Sequence, residues 1–517
     1  MMFERRLAPS RAAKLSALAA AGMALLFSTS QASAETVVKW LHLETVPAHL
    51  KMWEDIAAKY ESEHPGVDIQ MQFLENEAFK AKLPTLLQSD DAPHFFYSWG
   101  GGVLKQQAET GALMDLTEAM RADGGAWEKS YNPAAVKGLT FDGRIYAVPL
   151  KMGTISFFYN KELFGKGGVK AEDIKTWDDF LKAVKTLKDA GITPIAGGGG
   201  DKWPLHFYWS YLVMRNGGQP VFEDAKNNEG EGFLHPAMIR AGQQLAELGK
   251  LEPFQGGYLG ATWPQTLGLF GDGKAAMILS FEHTEATQRA NSGDGKGLAI
   301  DNIGRFPFPT VEGGAGAVTD TLGGLNGWAV TKNAPPEALD FLRYLTNAEN
   351  ERLMASIGML VPVAVGAEDG VTNPLVRAAA DQLAASTWHQ NYFDQDLGPS
   401  VGRVVNDVSV EILSGQMSPE EGARMIQDAR ELERVRKAAR RLSRRPAFDQ
   451  PVRTARGHHD RRDCDNDRGA ARGEPQESAL QEPDRAGAAS GTHPLPAAGI
   501  VALHRFRHPA DGRGGLV

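Results

Sequence analysis

VVKWLHLETVPAHLKMWEDIAAKYESEHPGVDIQMQFLENEAFKAKLPTLLQSDDAPHFFYSWGGG, residues 37–102, decides the fold. Residues 37–43 form an apolar, β-branched run that predicts a strand. Over 48–64, Leu50, Trp53, Ile56, Ala57 and Tyr60 recur at helical spacing, and Pro65-Gly66 stops the helix. A second strand over 67–74, a helix over 75–87 and a third strand over 95–99 entering a glycine turn repeat the unit. Strands spaced by helices of this length imply parallel pairing through right-handed crossovers, hence an α/β sheet. The theme recurs downstream: strands over 155–159 and 275–279, helices over 178–189, 206–216, 236–248 and 336–346. No fixed-period repeat interrupts it.

The chain has 517 residues, 42% hydrophobic and 23% charged, with 57 Gly and one Cys, which is room for two globular domains. Net charge is −9, but residues 1–34 carry +3 and residues 430–517 carry +6, leaving −18 on the body. Phosphate binding needs a basic face, so an acidic body excludes nucleic acid as the natural partner. Cys464 lies in the tail, and the body has no disulfide or thiolate chemistry.

Arg5, Arg6, Arg11 and Lys14 precede an apolar stretch over 15–27, followed by Ala32-Ser33-Ala34. This pattern predicts a secretory signal peptide cleaved between Ala34 and Glu35, too short in its apolar part to span a bilayer. Arg5-Arg6 lacks the polar and apolar context of a twin-arginine signal. Position 35 is Glu, not Cys, so no lipid is expected there, and a periplasmic location follows. Beyond Arg430, Arg displaces Lys and apolar periodicity fades. Residues 430–517 are therefore expected to be a disordered C-terminal tail; a genuine basic tail and a frameshifted GC-rich reading are both open.

No G-x-x-x-x-G-K-[ST], H-E-x-x-H or G-x-S-x-G motif occurs. The run at 197–200 is four glycines without a following Lys-Ser or Lys-Thr, and reads as a flexible loop. Asp463, Asp465, Asp467 and Glu474 mimic a calcium loop, but Arg468 stands where the turn needs Gly. Acid pairs such as Asp178-Asp179 and Glu420-Glu421 sit at helix starts, where they favour the macrodipole. Neither metal nor cofactor is implied.

Aromatic placement is more informative. Trp99, Trp203, Trp328 and Trp388 stand at strand ends or in loops beside polar residues. Sugar rings offer C–H faces to aromatic planes while their hydroxyls demand fixed donors and acceptors. Core packing is the competing reading for each Trp alone.

Together, several segments resemble the bacterial extracellular solute-binding proteins of carbohydrate ABC importers, related to maltose-binding proteins. They are Val38-Lys39-Trp40, SEHPGVDI, AKLPTLLQSDDAP leading to FYSWGGGVLKQQAETGAL, YAVP at 146–149, FFYNKELF, TWDDFLKAVKTLKDAG, FGDGKAAMILS, PPEALDFLRYLTNAE and SGQMSPEEGARMIQDA. His94 departs from the usual Asp, at a strand start. The resemblance implies a two-lobe fold, with 35–148 plus 312–360 in one lobe and 149–311 plus 361–429 in the other, a central hinge and a ligand cleft at the strands' carboxyl ends. It places polar sugar contacts at Glu44, Thr45, Glu75 and Asn76, stacking at Trp99, a second-lobe contact at Tyr159, and Glu282-His283 where relatives carry an aromatic. Loop position and residue type add Asp201, Trp203, Asn326, Trp328, Trp388 and Asp394.

The expected mechanism is non-covalent capture by lobe closure and delivery to a membrane permease, by a monomer without catalysis. A binder of another solute (polyamine, metal or glycerol phosphate ester) and a secreted glycosidase or lyase are the alternatives; the last needs two carboxyls about 5–9.5 Å apart.

Overall fold

The computed structural model describes residues 35–443. The signal segment, the calcium-loop-like acids and Cys464 lie outside those residues. Two lobes, each with its own sheet, share the described chain. In the first, β1 (Thr36–His42) pairs in parallel with β2 (Val67–Phe73) and β3 (Phe95–Ser98). The crossover helix Pro47–Glu63 starts on Pro at its first position and buries Trp53, Ile56, Ala57 and Tyr60, one stripe of its surface. The sheet is not wholly parallel. It continues through β8 (Leu325–Val330), which runs antiparallel to both β3 and β4 (Ala147–Met152). That strand re-enters from the second lobe, so its direction is set by the return path and not by a crossover.

The second sheet also departs from the expected pattern. Its centre, β5 (Ile155–Asn160), is antiparallel to β6 (Met277–Phe281) and β7 (Ile303–Phe306). Phe157 and Phe158 point to opposite faces and both are fully buried, in different apolar clusters. A strand covered on both sides reads as a continuous apolar run, which is why this segment stands out in the sequence.

The first core draws on residues 38–150 and 328–379, the second on 155–322 and 388–426. The chain therefore passes between lobes three times. Val361, Val363, Val371, Val376 and Ala379 pack in the first core, and Leu322 in the second. These placements put 361–379 with the first lobe, and start its return strand after 322, against the expected boundaries at 360 and 312. Glu351 holds the 361–379 segment down: its Oε2 accepts the Val363 and Ala364 N–H groups, each at 2.7 Å.

Two sequence expectations are corrected. Residues 197–199 are buried, not a loose loop, and a Cβ on Gly197 would lie 2.5 Å from the Phe254 ring. Close packing, not mobility, demands glycine there. The expected tail boundary at 430 also falls inside a helix, Pro419–Ser443. Glu433 is buried there between Arg430, at 2.8 Å, and Lys437, at 3.0 Å. Among the described residues, no helix is long and apolar enough to cross a membrane.

Burial pushes the Glu351 carboxyl up from 4.5 to about 8, against the pull of its two backbone donors. The folded chain thus holds this proton more tightly than the unfolded chain. The stabilisation is complete below pH 4.5 and is lost as pH rises to about 8, at up to about 1.4 kcal/mol per pH unit. Glu351→Gln keeps an acceptor without a charge. Urea unfolding at pH 5 and pH 8 will show that the variant gains stability relative to the wild type at the higher pH.

Candidate functional site

The carboxyl ends of first-lobe strands and the facing loops of the second lobe enclose a cleft of about 1250 Å³, part of it open to solvent. Eleven of the residues singled out from sequence meet on its wall: Glu44, Thr45, Glu75, Asn76, Trp99, Asp201, Trp203, Glu282, His283, Asn326 and Asp394. Three do not. Tyr159 packs on Phe164, with ring centroids 4.4 Å apart, and Phe306. Trp328 is fully buried among Trp40, Trp53, Phe95 and Tyr97. Trp388 is buried beside Phe222. Trp328 and Trp388 fill lobe interiors, where apolar area is removed from water permanently, and Tyr159 is half-buried against the second core.

Each carboxylate of the cleft is anchored from within. Glu44 follows β1, and its Oε1 accepts the Thr45 and Val46 N–H groups at 2.9 and 2.8 Å while His49 Nδ1 lies 3.2 Å from Oε2. Burial alone would raise its pKa, but the His49 contact and the backbone donor hold it near 2. Glu75 caps the helix Asn76–Leu86 by accepting from Glu77 N–H at 2.9 Å and Ala78 N–H at 3.2 Å. Asp201 accepts the Trp263 N–H at 2.6 Å; burial raises its pKa and that bond opposes the rise. Asp394 accepts from Gln395 and Asn406, and the buried His206 lies 3.6 Å away.

Glu282 follows β6 and is 1% exposed. Lys151 Nζ lies 3.7 Å from its Oε1, and His283 Nδ1 donates to the same oxygen at 3.2 Å. Burial would raise its pKa; Lys151 and His283 outweigh that and hold it near 2. Burial, then Lys151, lowers the His283 pKa, so the ring is a neutral donor. Among the described residues, Glu282 Oε2, Asn326 Oδ1 and Trp203 Nε1 are buried without a hydrogen-bond partner. They are two acceptors and one donor, on residues that line the cleft from both lobes.

Aromatic faces lie between these polar atoms. Trp203 tilts against Trp263 with centroids 5.1 Å apart, Trp99 meets Tyr97 edge-on at 5.4 Å, and Phe281 stacks on His283 at 5.4 Å. Lys80, Tyr97, Lys151, Trp263, Phe281 and Tyr392 also line the cleft and escaped the sequence reading. Tyr97 stands two residues before Trp99 on one strand end, a spacing that could have found it. Lys80 and Tyr392 carry no comparable signal, since the tertiary fold brings them in. Asn391 Nδ2 ties the lobes by donating to the Trp99 carbonyl at 2.9 Å. The arrangement can bind an uncharged, hydroxyl-rich ligand by stacking and hydrogen bonding. Among the described residues, no His, Cys, Asp and Glu group could hold a metal ion.

Residues 48–352 match the family of bacterial extracellular solute-binding proteins. An uncharacterized ABC transporter extracellular-binding protein of Pyrococcus horikoshii is 24% identical over 242 residues, 46% of this chain and 54% of that protein. The chain thus spans about half the length of this curated relative. A structure solved in work on xylan utilization by the thermophilic bacterium Caldanaerobius polysaccharolyticus superposes with a TM-score of 0.70 at 26% identity, covering 76% of this chain and 99% of that one. A chitin oligosaccharide binding protein gives 0.68 at 25% identity, covering 77% and 99%.

A Cβ at Gly153 would lie 2.5 Å from Glu282 Oε2. Gly153→Ala will therefore lower stability by about 1–3 kcal/mol, read from the urea midpoint. Adding Glu282→Ala removes the atoms it strikes, and the double variant will fall short of the summed losses.

Proposed function

We propose, from the premise that this chain belongs to the bacterial extracellular solute-binding protein family, that its cleft captures a neutral sugar or oligosaccharide and carries it to the membrane permease of an ABC importer. Members of this family bind solutes; they are not enzymes. One observation carries the sugar reading: aromatic faces alternate in the cleft with buried polar atoms that lack internal partners. The faces grip C–H surfaces, and the free Glu282 Oε2, Asn326 Oδ1 and Trp203 Nε1 receive hydroxyls. A hydroxyl buried without a partner costs about 1–3 kcal/mol, so a wrong epimer is rejected. The structural relatives connected with chitin oligosaccharides and xylan utilization support this ligand class.

The leader at 1–34 exports the chain to the periplasm, where the lobes close as a monomer about the three crossing segments. Export predicts an N-terminus at Glu35 in protein from the periplasmic fraction, read by N-terminal sequencing; retention of residues 1–34 refutes it.

The ligand class is tested by thermal unfolding and calorimetry with xylo-, chito- and malto-oligosaccharides, against spermidine and glycerol 3-phosphate. One neutral series at a hundredfold excess over its Kd will add about 2.7 kcal/mol of stability, and chromatography will recover it intact. Glu282→Gln and Trp203→Ala will each weaken binding about tenfold or more. Stabilisation by the charged solutes alone overturns the sugar reading, and product formation overturns capture.

A further inference from the structure

One cleft group is unused by the capture reading. Lys80 rises from the helix Asn76–Leu86, and its Nζ stands 5.5 Å from the Trp99 ring centroid and 5.4 Å from that of Trp203. Trp99 follows β3 in the first lobe, and Trp203 opens a helix of the second. A single ammonium therefore touches aromatic faces from both sides of the cleft. Glu77 Oε1, 3.0 Å away on the same helix, steadies it, and the side chain keeps 28% of its surface in solvent. The carboxyl of Asp201 senses Glu77, Glu75 and Lys80 together, so the ammonium lies in a negative surround.

A pyranose stacked on either tryptophan needs the volume that this ammonium fills. We propose that Lys80 is a resident occupant of the Trp99–Trp203 clamp, displaced by the incoming saccharide, and that its displacement sets a threshold which a ligand must cover both rings to overcome. This rests on the capture reading. Cation–π contact with two partly desolvated rings is lost on displacement, a cost set by the charge and not by the ligand. A monosaccharide that covers one ring does not offset it; an oligosaccharide that covers both does. The half-buried side chain has a path to solvent along which the ammonium can leave the rings.

Lys80→Met keeps the apolar stem and removes the charge. Calorimetry on the full chain compares wild type and variant with the tetrasaccharides of the xylo-, chito- and malto-series and with xylose, N-acetylglucosamine and glucose. In the series that binds, the variant will bind the monosaccharide about five- to thirtyfold tighter, and the tetrasaccharide by a similar factor, because both displace the same charge. Wild-type affinity for the neutral tetrasaccharide will rise with sodium chloride, which weakens the ammonium's attraction to its acidic surround, and the variant will show no such rise. Without any sugar, the variant's tryptophan emission will differ from that of wild type. Weaker or unchanged sugar binding in the variant overturns the displacement proposal and leaves capture standing. Unchanged emission shows that the two-ring contact is absent and overturns it as well. If neither protein binds any series, capture falls and the proposal falls with it.

Discussion

At Gly153 and Gly323 the segments joining the lobes pass so closely that a Cβ on Gly323 would lie 1.7 Å from the Gly153 carbonyl oxygen. The Gly153 N–H also donates to the Gly324 carbonyl at 3.2 Å. No side chain fits at this crossing, so both cores depend on two residues without one. Gly153 also leaves the space in which the Glu282 carboxylate lies. Lys151, two residues earlier, supplies the countercharge. Nearby, Arg305 of β7 donates to Ser156 Oγ at 2.7 Å, Thr154 Oγ1 at 3.2 Å and the Ala378 carbonyl at 3.3 Å. That guanidinium binds the second sheet to a helix packed in the first core, so hinge and cleft floor share one continuous packing.

Sequence alone conveyed the elements better than their directions. Alternating runs such as 37–43 and 48–64 locate strands and helices because each must bury one face locally. Whether Leu325–Val330 lies parallel to Phe95–Ser98 depends on a return more than 200 residues later, which no local pattern encodes. The cleft was legible where strand ends meet polar residues, as at Glu44, Trp99 and Glu282. It was illegible where pleat parity decides. Asn326 reaches the cleft while Trp328 is buried in the core, and the register shift between Asn326 and Gly327 breaks the alternation that would have given them one face. Similarly, four consecutive glycines suggest freedom until Phe254, Thr266 and Leu259 are seen pressed against them.

The electrostatics follow from burial. An isolated carboxylate in such a cleft would give up its charge, because desolvation favours the neutral form. Glu282 stays ionised through Lys151 and His283, and Glu44 through His49 and backbone N–H groups. Glu351 has backbone donors but no cation, and burial prevails. Glu44, Glu282 and Glu351 thus divide by whether a positive or donating ring is at hand. The two at the cleft are the two that keep their charge.

Anchoring fixes direction as well as charge. With Oε1 facing Lys151 and His283, Glu282 Oε2 lies without a hydrogen-bond partner, at a position set by the Gly153 backbone. Aromatic faces, by contrast, tolerate rotation of whatever stacks on them. On the proposed capture, discrimination between hydroxyl patterns would fall to the few polar atoms locked by the hinge packing, and most of the grip to the aromatic faces of Trp99, Trp203 and Trp263. On the same proposal, a cleft built this way would change its preferred sugar by altering one anchored polar group, while the surrounding fold stays the same.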